Sequence, residues 1–270
     1  MGMKKISKIL FICFLGIFNG FSQEDKAEEK EASAAQANNP LANMTAISFQ
    51  NYYMSKLTNA PEGSYMNTTW VRFAKPLAAG KFLLRVSTPL STVGMPDING
   101  TLRTTSGLGD INAFMSYNFV SKPTTTMGIG PLLAAPTATD NALGSGKWQA
   151  GFAYVAFFAK SPVFQYGALV TWQTSFAGHD DRSKTSLGAI QPFYFWQLGK
   201  GTYLRGAPIW VFDFANDSYS VPIGIGAGQV VKVNKTMFNI YLEPQFSALT
   251  DGVQPQFQLL AGINLQFTGG

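Results

Sequence analysis

His179, Asp180 and Asp181 are the side chains of this sequence that come nearest to a catalytic or metal-binding group. A histidine beside carboxylates could hold a metal ion or act as a hydrolytic base. The chain has 1 histidine, however, and no paired nucleophile accompanies it in what the pattern predicts to be a surface loop. We therefore predict a solvated histidine, no catalytic residue, no metal site and no cofactor.

A glycine-rich run, GIGIGAG, contains Gly224, Gly226 and Gly228 and matches part of a dinucleotide-binding fingerprint. That fingerprint requires a strand before it, a helix after it and a later acidic residue, which are not found here. The better interpretation is a set of small residues that face an interior.

The remaining candidates are polar side chains that fall inside apolar segments. If these segments are strands of a closed barrel, the polar side chains point into its lumen, because a charge facing lipid at mid-membrane costs about 2–4 kcal/mol. They could form salt bridges that brace the wall, or a mixed-charge constriction that selects solutes. The candidate pore-lining residues are Arg72, Arg85, Asp110, Asn112, Arg205, Asp213 and Glu243.

The segments that must position these residues alternate with a period of two. In residues 254–267, Phe257 and Leu259 alternate with Gln256 and Gln258, which puts one face in hydrocarbon and the other in water. The pattern predicts about twelve strands, an even number that suits a closed antiparallel membrane barrel. They lie near residues 42–55, 65–77, 81–91, 109–120, 126–136, 147–159, 163–175, 186–198, 202–214, 218–231, 236–248 and 254–267.

Composition narrows the class of protein in the same direction. The 270 residues are 46% hydrophobic and 13% charged, against roughly 25% charged in an ordinary soluble domain. No stretch reaches the ~18 apolar residues that a membrane helix needs. A soluble enzyme and a helical membrane protein are both disfavoured, and a soluble β-sandwich does not explain outward aromatic residues on almost every strand.

The N-terminal region has its own composition. Residues 1–22 have lysines, an apolar run and small residues in the order of a signal peptide. Residues 23–41 are polar and predict a linker or a short helix, with a helix that folds back to occlude a pore as the alternative. Residues 42–270 form the predicted barrel.

The connections between the predicted strands alternate in length and charge. Short turns contain lysines such as Lys160 and Lys200, and long loops contain aspartates such as Asp140 and Asp180. Long external loops and short periplasmic turns are typical of outer-membrane barrels. A proline inside a strand forfeits a ladder hydrogen bond, so bulged or misregistered strands are expected around Pro192, Pro208, Pro222 and Pro244, which fall inside predicted strands.

Several segments resemble a family of bacterial outer-membrane barrels catalogued under a MetA pathway of phenol degradation, some of whose members are labelled transporter or neuromedin U. The segments include GLGDINAF, SFAGHDDR, GTYLRGAPIW and, as the most specific part, APTATD with LGSGKWQAG. The resemblance covers the predicted mature chain and implies a barrel that passes small molecules.

Together these patterns predict an outer-membrane porin-like channel or transporter for small solutes, with hydrophobic or aromatic solutes as candidates. An outer-membrane lipid-modifying enzyme and a structural barrel with a plugged lumen stay open as alternatives. The expected partners are outer-membrane lipid, a small-molecule solute and the barrel-assembly machinery. The signal for that machinery would be Gly262, Leu265 and Phe267. The sequence lacks a basic cluster with interleaved aromatic residues, so nucleic acid is not predicted as a partner.

Overall fold

The computed structural model describes residues 37–267, which form an all-β chain. The predicted signal peptide and residues 23–36 of the predicted polar segment lie outside this range. Within it, no helix is long and apolar enough to cross a membrane. The strand segments are β1 (Thr45–Leu57), β2 (Tyr65–Leu77), β3 (Phe82–Pro96), β4 (Leu102–Leu108), β5 (Ile111–Lys122), β6 (Thr125–Ala135), β7 (Lys147–Phe158), β8 (Phe164–Gly178), β9 (Ser186–Gly199), β10 (Thr202–Gly206), β11 (Trp210–Asp213), β12 (Ser218–Gly224), β13 (Gly226–Val233), β14 (Thr236–Asp251) and β15 (Pro255–Phe267).

These segments form a closed antiparallel barrel of 12 strands. Three of the strands consist of two segments each: β4 with β5, β10 with β11, and β12 with β13. The two segments of each strand pair with the same neighbour, which is β3, β9 and β14 respectively. The first and last strands close the barrel, with Thr45 opposite Phe267. Closure satisfies the backbone groups that an open edge would expose to lipid. The predicted fold class and strand number are confirmed.

Side chains alternate between the lumen and the outer surface as the sequence pattern predicts. In β15, Gln258, Leu260 and Gln266 are buried, whereas Ala261 and Phe267 are exposed. A broad apolar outer surface suits hydrocarbon rather than water. Its exposed aromatic side chains include Phe49, Phe73, Phe119, Phe152, Trp172 and Trp196.

Four prolines lie close together in one region of the wall, which we call the proline patch: Pro192, Pro208, Pro222 and Pro244. The register on either side of the β10–β11 break places Pro208 opposite Pro192 of β9. Pro222 coincides with a register shift in β12, and Pro244 lies beside the β12–β13 break. Proline has no N–H to donate to the ladder. The irregularities predicted around these residues are observed as breaks and a register shift that lie next to each other in neighbouring strands.

The strand bounds depart most from the prediction between β3 and β4. The sequence predicts a loop over residues 92–108, whereas β3 continues to Pro96 and pairs with β4. Hydroxyl side chains stabilise this extension, since the Oγ atoms of Thr92 and Ser106 lie 2.9 Å apart. Polar residues with strand propensity therefore continue the hairpin beyond the apolar span.

Asp97 closes that hairpin. Its carboxylate accepts hydrogen bonds from the backbone N–H groups of Thr101 (3.0 Å) and Asn99 (2.9 Å), and Arg103 donates to it at 3.1 Å. The backbone hydrogen bonds, followed by Arg103, lower the pKa of the Asp97 carboxyl group.

The two ends of the barrel differ in the charge of their connections. One end holds the acidic residues Glu62, Asp97, Asp140, Asp180, Asp217 and Asp251, and the other holds the lysines Lys122, Lys160, Lys200, Lys232 and Lys235. The acidic end also has the longest connection, residues 136–146. The rule of long external loops and short periplasmic turns predicts that this end faces the outside of the cell.

This orientation predicts the result of cysteine labelling on intact cells. A cysteine at Asn141 or Asp180 should react with an impermeant thiol reagent, whereas one at Lys200 should react only after the outer membrane is opened. Each variant serves as a control for the others. The reverse pattern would invert the orientation.

Candidate functional site

The lumen contains the chain's own N-terminal segment, residues 37–41. Its residues form turns, and Ala37, Asn38 and Leu41 are buried. Gln266 Nε2 donates to the Ala37 carbonyl oxygen at 2.8 Å, and Asn239 Nδ2 donates to Asn38 Oδ1 at 3.0 Å. The described part of the predicted polar segment therefore lies inside the barrel, at the end where β1 begins, because lumenal side chains satisfy its backbone and amide groups.

Apolar contacts also fix this segment. Ala37 belongs to a cluster that contains Phe157 and Tyr203, and Leu41 packs against Leu83 and Val155. These partners come from several sides of the barrel. The segment thus lies across the lumen at the end of the barrel where β1 begins and where the lysine-bearing turns lie.

A second compartment lies further along β1 and β2, toward the acidic end. It is a cavity of about 300 Å³. Tyr52 lines it and belongs to an apolar cluster with Leu260 and Tyr241, against which Trp70 and Ile209 pack. The cavity, which we call the apolar compartment, is lined by Tyr52, Met54, Leu57, Met66, Trp70, Ile209, Val211, Ser220, Val253, Gln254, Pro255 and Gln258.

Between this compartment and the N-terminal segment lies a smaller cavity of about 160 Å³, which we call the arginine chamber. Arg72, Arg85 and Arg205 line it, together with neutral amides and the N-terminal segment. No carboxylate among the described residues lines this chamber. The structure thus brings together the three arginines of the predicted pore-lining set.

Arg205 is neutralised by Glu243, a side chain with no solvent exposure. Glu243 Oε2 accepts from Arg205 Nε at 2.8 Å, and Oε1 accepts from the Ala207 N–H at 2.8 Å and from Gln245 Nε2 at 2.7 Å. Gln191 Nε2 donates to the Ala207 carbonyl oxygen at 3.0 Å. Ala207 lies in the β10–β11 break, so these side chains replace ladder bonds lost at the proline patch.

The other predicted pore-lining residues lie apart from the chamber. Asn112 pairs with Ser87 and Ala134 on the lumenal face. Asp110 accepts hydrogen bonds from Ala138 and Ser145 in the loop of residues 136–146. Asp213 accepts from Ala215 and Asn216 and caps the turn after β11. The two aspartates therefore stabilise loops at the acidic end of the barrel.

The glycine-rich run and the last strand make room for tyrosine rings in the lumen. A Cβ atom at Gly228 would lie 2.3 Å from Tyr203 Cζ, and one at Gly262 would lie 2.3 Å from Tyr241 Cζ. Gly262 is thus a packing position within the predicted assembly signal, while Phe267 is exposed on the outer face. The assembly role of Gly262, Leu265 and Phe267 stays a prediction.

Arg182 is a residue that the sequence reasoning did not single out. It donates hydrogen bonds to the carbonyl oxygens of Asn141 (2.9 Å), Gly144 (2.5 Å) and Ser145 (3.2 Å) and so connects two loops at the acidic end of the barrel. The backbone N–H of nearby His179 donates to Gly146. The two loops contain the family-like segments APTATD with LGSGKWQAG and SFAGHDDR. Their separation in the sequence does not indicate that Arg182 connects them.

Within residues 37–267, no group of three or more His, Cys, Asp or Glu side chains could hold a metal ion. Asp180 and Asp181 are exposed beside His179.

Comparison with known proteins shows the fold. No family model and no curated protein sequence matches the chain. Two solved structures are similar: a COG4313 outer membrane channel from Pseudomonas putida F1, with 13% identity and a TM-score of 0.61 over 83% of this chain and 94% of that one, and the NanC porin, with 8% identity and a TM-score of 0.53 over 83% and 98%. Membership of the phenol-degradation family stays a prediction. The chain is a β-barrel of the outer-membrane type.

Proposed function

We propose that the protein is a porin-like channel that transfers small solutes with an apolar or aromatic body across the outer membrane. The observation that carries this proposal is the apolar compartment of about 300 Å³ within the lumen. Binding sites for small molecules are typically concave and mostly apolar, with a few polar groups that fix orientation.

The state of the lumen argues against a general pore for hydrophilic solutes. Such pores enclose a continuous water-filled channel, whereas residues 37–41 occupy this lumen and make hydrogen bonds to its wall. A solute would have to displace the segment or move around it. Binding in the apolar compartment can offset part of that cost, which selects for solutes with apolar surface.

The lipid-modifying enzyme is not favoured, because its serine and histidine would have to meet at the outer leaflet. The chain has 1 histidine, His179. It lies in a loop at the acidic end of the barrel, and its hydrogen bond to Gly146 is made by its backbone N–H. The plugged structural barrel differs from our proposal in one respect only: it predicts no solute flux. Outer-membrane lipid around the exposed aromatic residues and the barrel-assembly machinery are the further partners that the proposal implies.

Filling the apolar compartment should test the proposal. Ser220 is buried and lines the compartment, so the Ser220→Trp variant places an indole inside it. We expect uptake of radiolabelled toluene by cells expressing this variant to fall close to that of cells without the protein.

Tyr219→Trp is the matched control, because Tyr219 is the adjacent residue of β12 and its exposed side chain faces outward. This variant should retain the uptake of the unmodified chain. Equal uptake by both variants would contradict a route through the compartment, and a chemically altered toluene product would favour an enzyme.

A further inference from the structure

Arg72 and Arg85 differ from Arg205 in that no carboxylate of the described chain pairs with them. Neither forms an ion pair within residues 37–267. The Nε atom of each is buried without a hydrogen-bond partner. Burying a cation without a partner is costly, so a barrel wall that needed only bracing would not be expected to place two such groups together.

The two guanidinium groups are neighbours on the lumenal face. Arg72 pairs with Ser87, and Arg85 pairs with Ala74, which makes the arginines diagonal partners with Cα atoms about 7–8 Å apart. Their charges repel each other. Arg72 lies over the Trp70 ring at 5.1 Å, and Arg85 lies over the Phe114 ring at 4.4 Å. The rings hold both cations in place without neutralising them.

Among residues 37–267, the lining of the chamber supplies another hydrogen-bond donor and no carboxylate. Asn38 Nδ2, from the N-terminal segment, is buried without a partner and lines the same chamber. Glu243, the carboxylate bound to Arg205, already accepts three hydrogen bonds. An anion entering the chamber therefore meets two arginine side chains that no described carboxylate neutralises, and guanidinium groups match the planar geometry of a carboxylate.

The apolar compartment borders this chamber through Trp70, which lines the compartment on one side and contacts Arg72 on the other. We propose that Arg72 and Arg85 form a binding site for the carboxylate of an amphipathic solute whose aryl or alkyl body occupies the apolar compartment. This inference rests on the proposed function and names the substrate class of the same site.

Three ligands that share one apolar body test the inference: 4-phenylbutyrate, 4-phenylbutanol and 4-phenylbutylamine. Their binding to the full mature chain in lipid nanodiscs can be measured by calorimetry, with empty nanodiscs as the blank. We expect the carboxylate to bind at least about tenfold more tightly than the alcohol, as hydrogen bonds between charged groups imply, and the amine to bind most weakly.

Arg72→Gln and Arg85→Gln should each remove most of the preference for the carboxylate and leave binding of the alcohol unchanged. Arg103→Gln, at an exposed arginine on the β3–β4 hairpin, is the control and should keep the preference. Equal binding of carboxylate and alcohol by the unmodified chain would overturn the carboxylate site while the proposed function stands. Absence of binding by all three ligands would overturn both.

Stability measurements separate this site from a structural brace. Because neither cation forms an ion pair with a residue of the described range, Arg72→Met and Arg85→Met should unfold at the same urea concentration as the unmodified chain or at a higher one. A clear fall in the unfolding midpoint would make these residues structural and would overturn the inference.

Discussion

The Glu243→Ala variant should lose about 3–5 kcal/mol of unfolding free energy, as is typical when one partner of a buried ion pair is removed. The substitution leaves the Arg205 guanidinium without its carboxylate and the Ala207 N–H without its acceptor. Ala207 lies in the β10–β11 break, where ladder bonds are already missing. Urea titration of the barrel refolded into lipid vesicles measures the loss.

Glu62→Ala is the control, because Glu62 is exposed in the loop between β1 and β2 and its removal should change stability by less than about 0.5 kcal/mol. A loss below about 1 kcal/mol at Glu243 would show that the ion pair does not brace the wall. Arg85→Met, by contrast, should not lower the unfolding free energy. Glu243 is thus expected to have a structural role, whereas Arg85 is available to bind a solute.

Removing the N-terminal segment should raise single-channel conductance several-fold. A chain that begins at Ala42 lacks the residues that bond to Asn239 and Gln266 and pack among the lumenal aromatic side chains. Ions can then pass through the space that the segment occupies. The measurement is the conductance of single barrels in planar bilayers at fixed salt and voltage.

A chain that begins at Ala37 keeps the segment and removes only what precedes it, so it is the matched control and should conduct like the full mature chain. If both shortened chains gave the same conductance as the full chain, residues 37–41 would not limit the pore. If the chain that begins at Ala37 conducted as much as the chain that begins at Ala42, and both conducted more than the full chain, the occluding element would lie outside residues 37–41.

The sequence predicts the strands well, because in a membrane barrel each residue faces either lipid or the lumen and the chemistry of each face is imposed residue by residue. The alternation of Phe257 and Leu259 with Gln256 and Gln258 is enough to place the last strand. The predicted bounds fail at residues 92–108, where the hairpin extends into water and apolar alternation no longer marks a strand.

The site is predicted less completely, since its contacts join residues far apart in sequence. The arginines within apolar segments point to the lumen, but nothing local shows that Arg205 has a carboxylate and Arg72 does not. Likewise, the sequence positions of Pro192 and Pro208 do not indicate that the two residues lie opposite each other on neighbouring strands. The position of residues 37–41 depends on amide groups of β14 and β15, more than 200 residues away.

The most direct test of the central claim compares two solutes in one assay. Uptake of radiolabelled toluene and of arabinose is measured in Gram-negative cells that lack their major porins, with and without this protein in the outer membrane. We expect the protein to increase toluene uptake and to leave arabinose uptake near the background. An increase in arabinose uptake with no change in toluene uptake would contradict the account and indicate a pore for hydrophilic solutes.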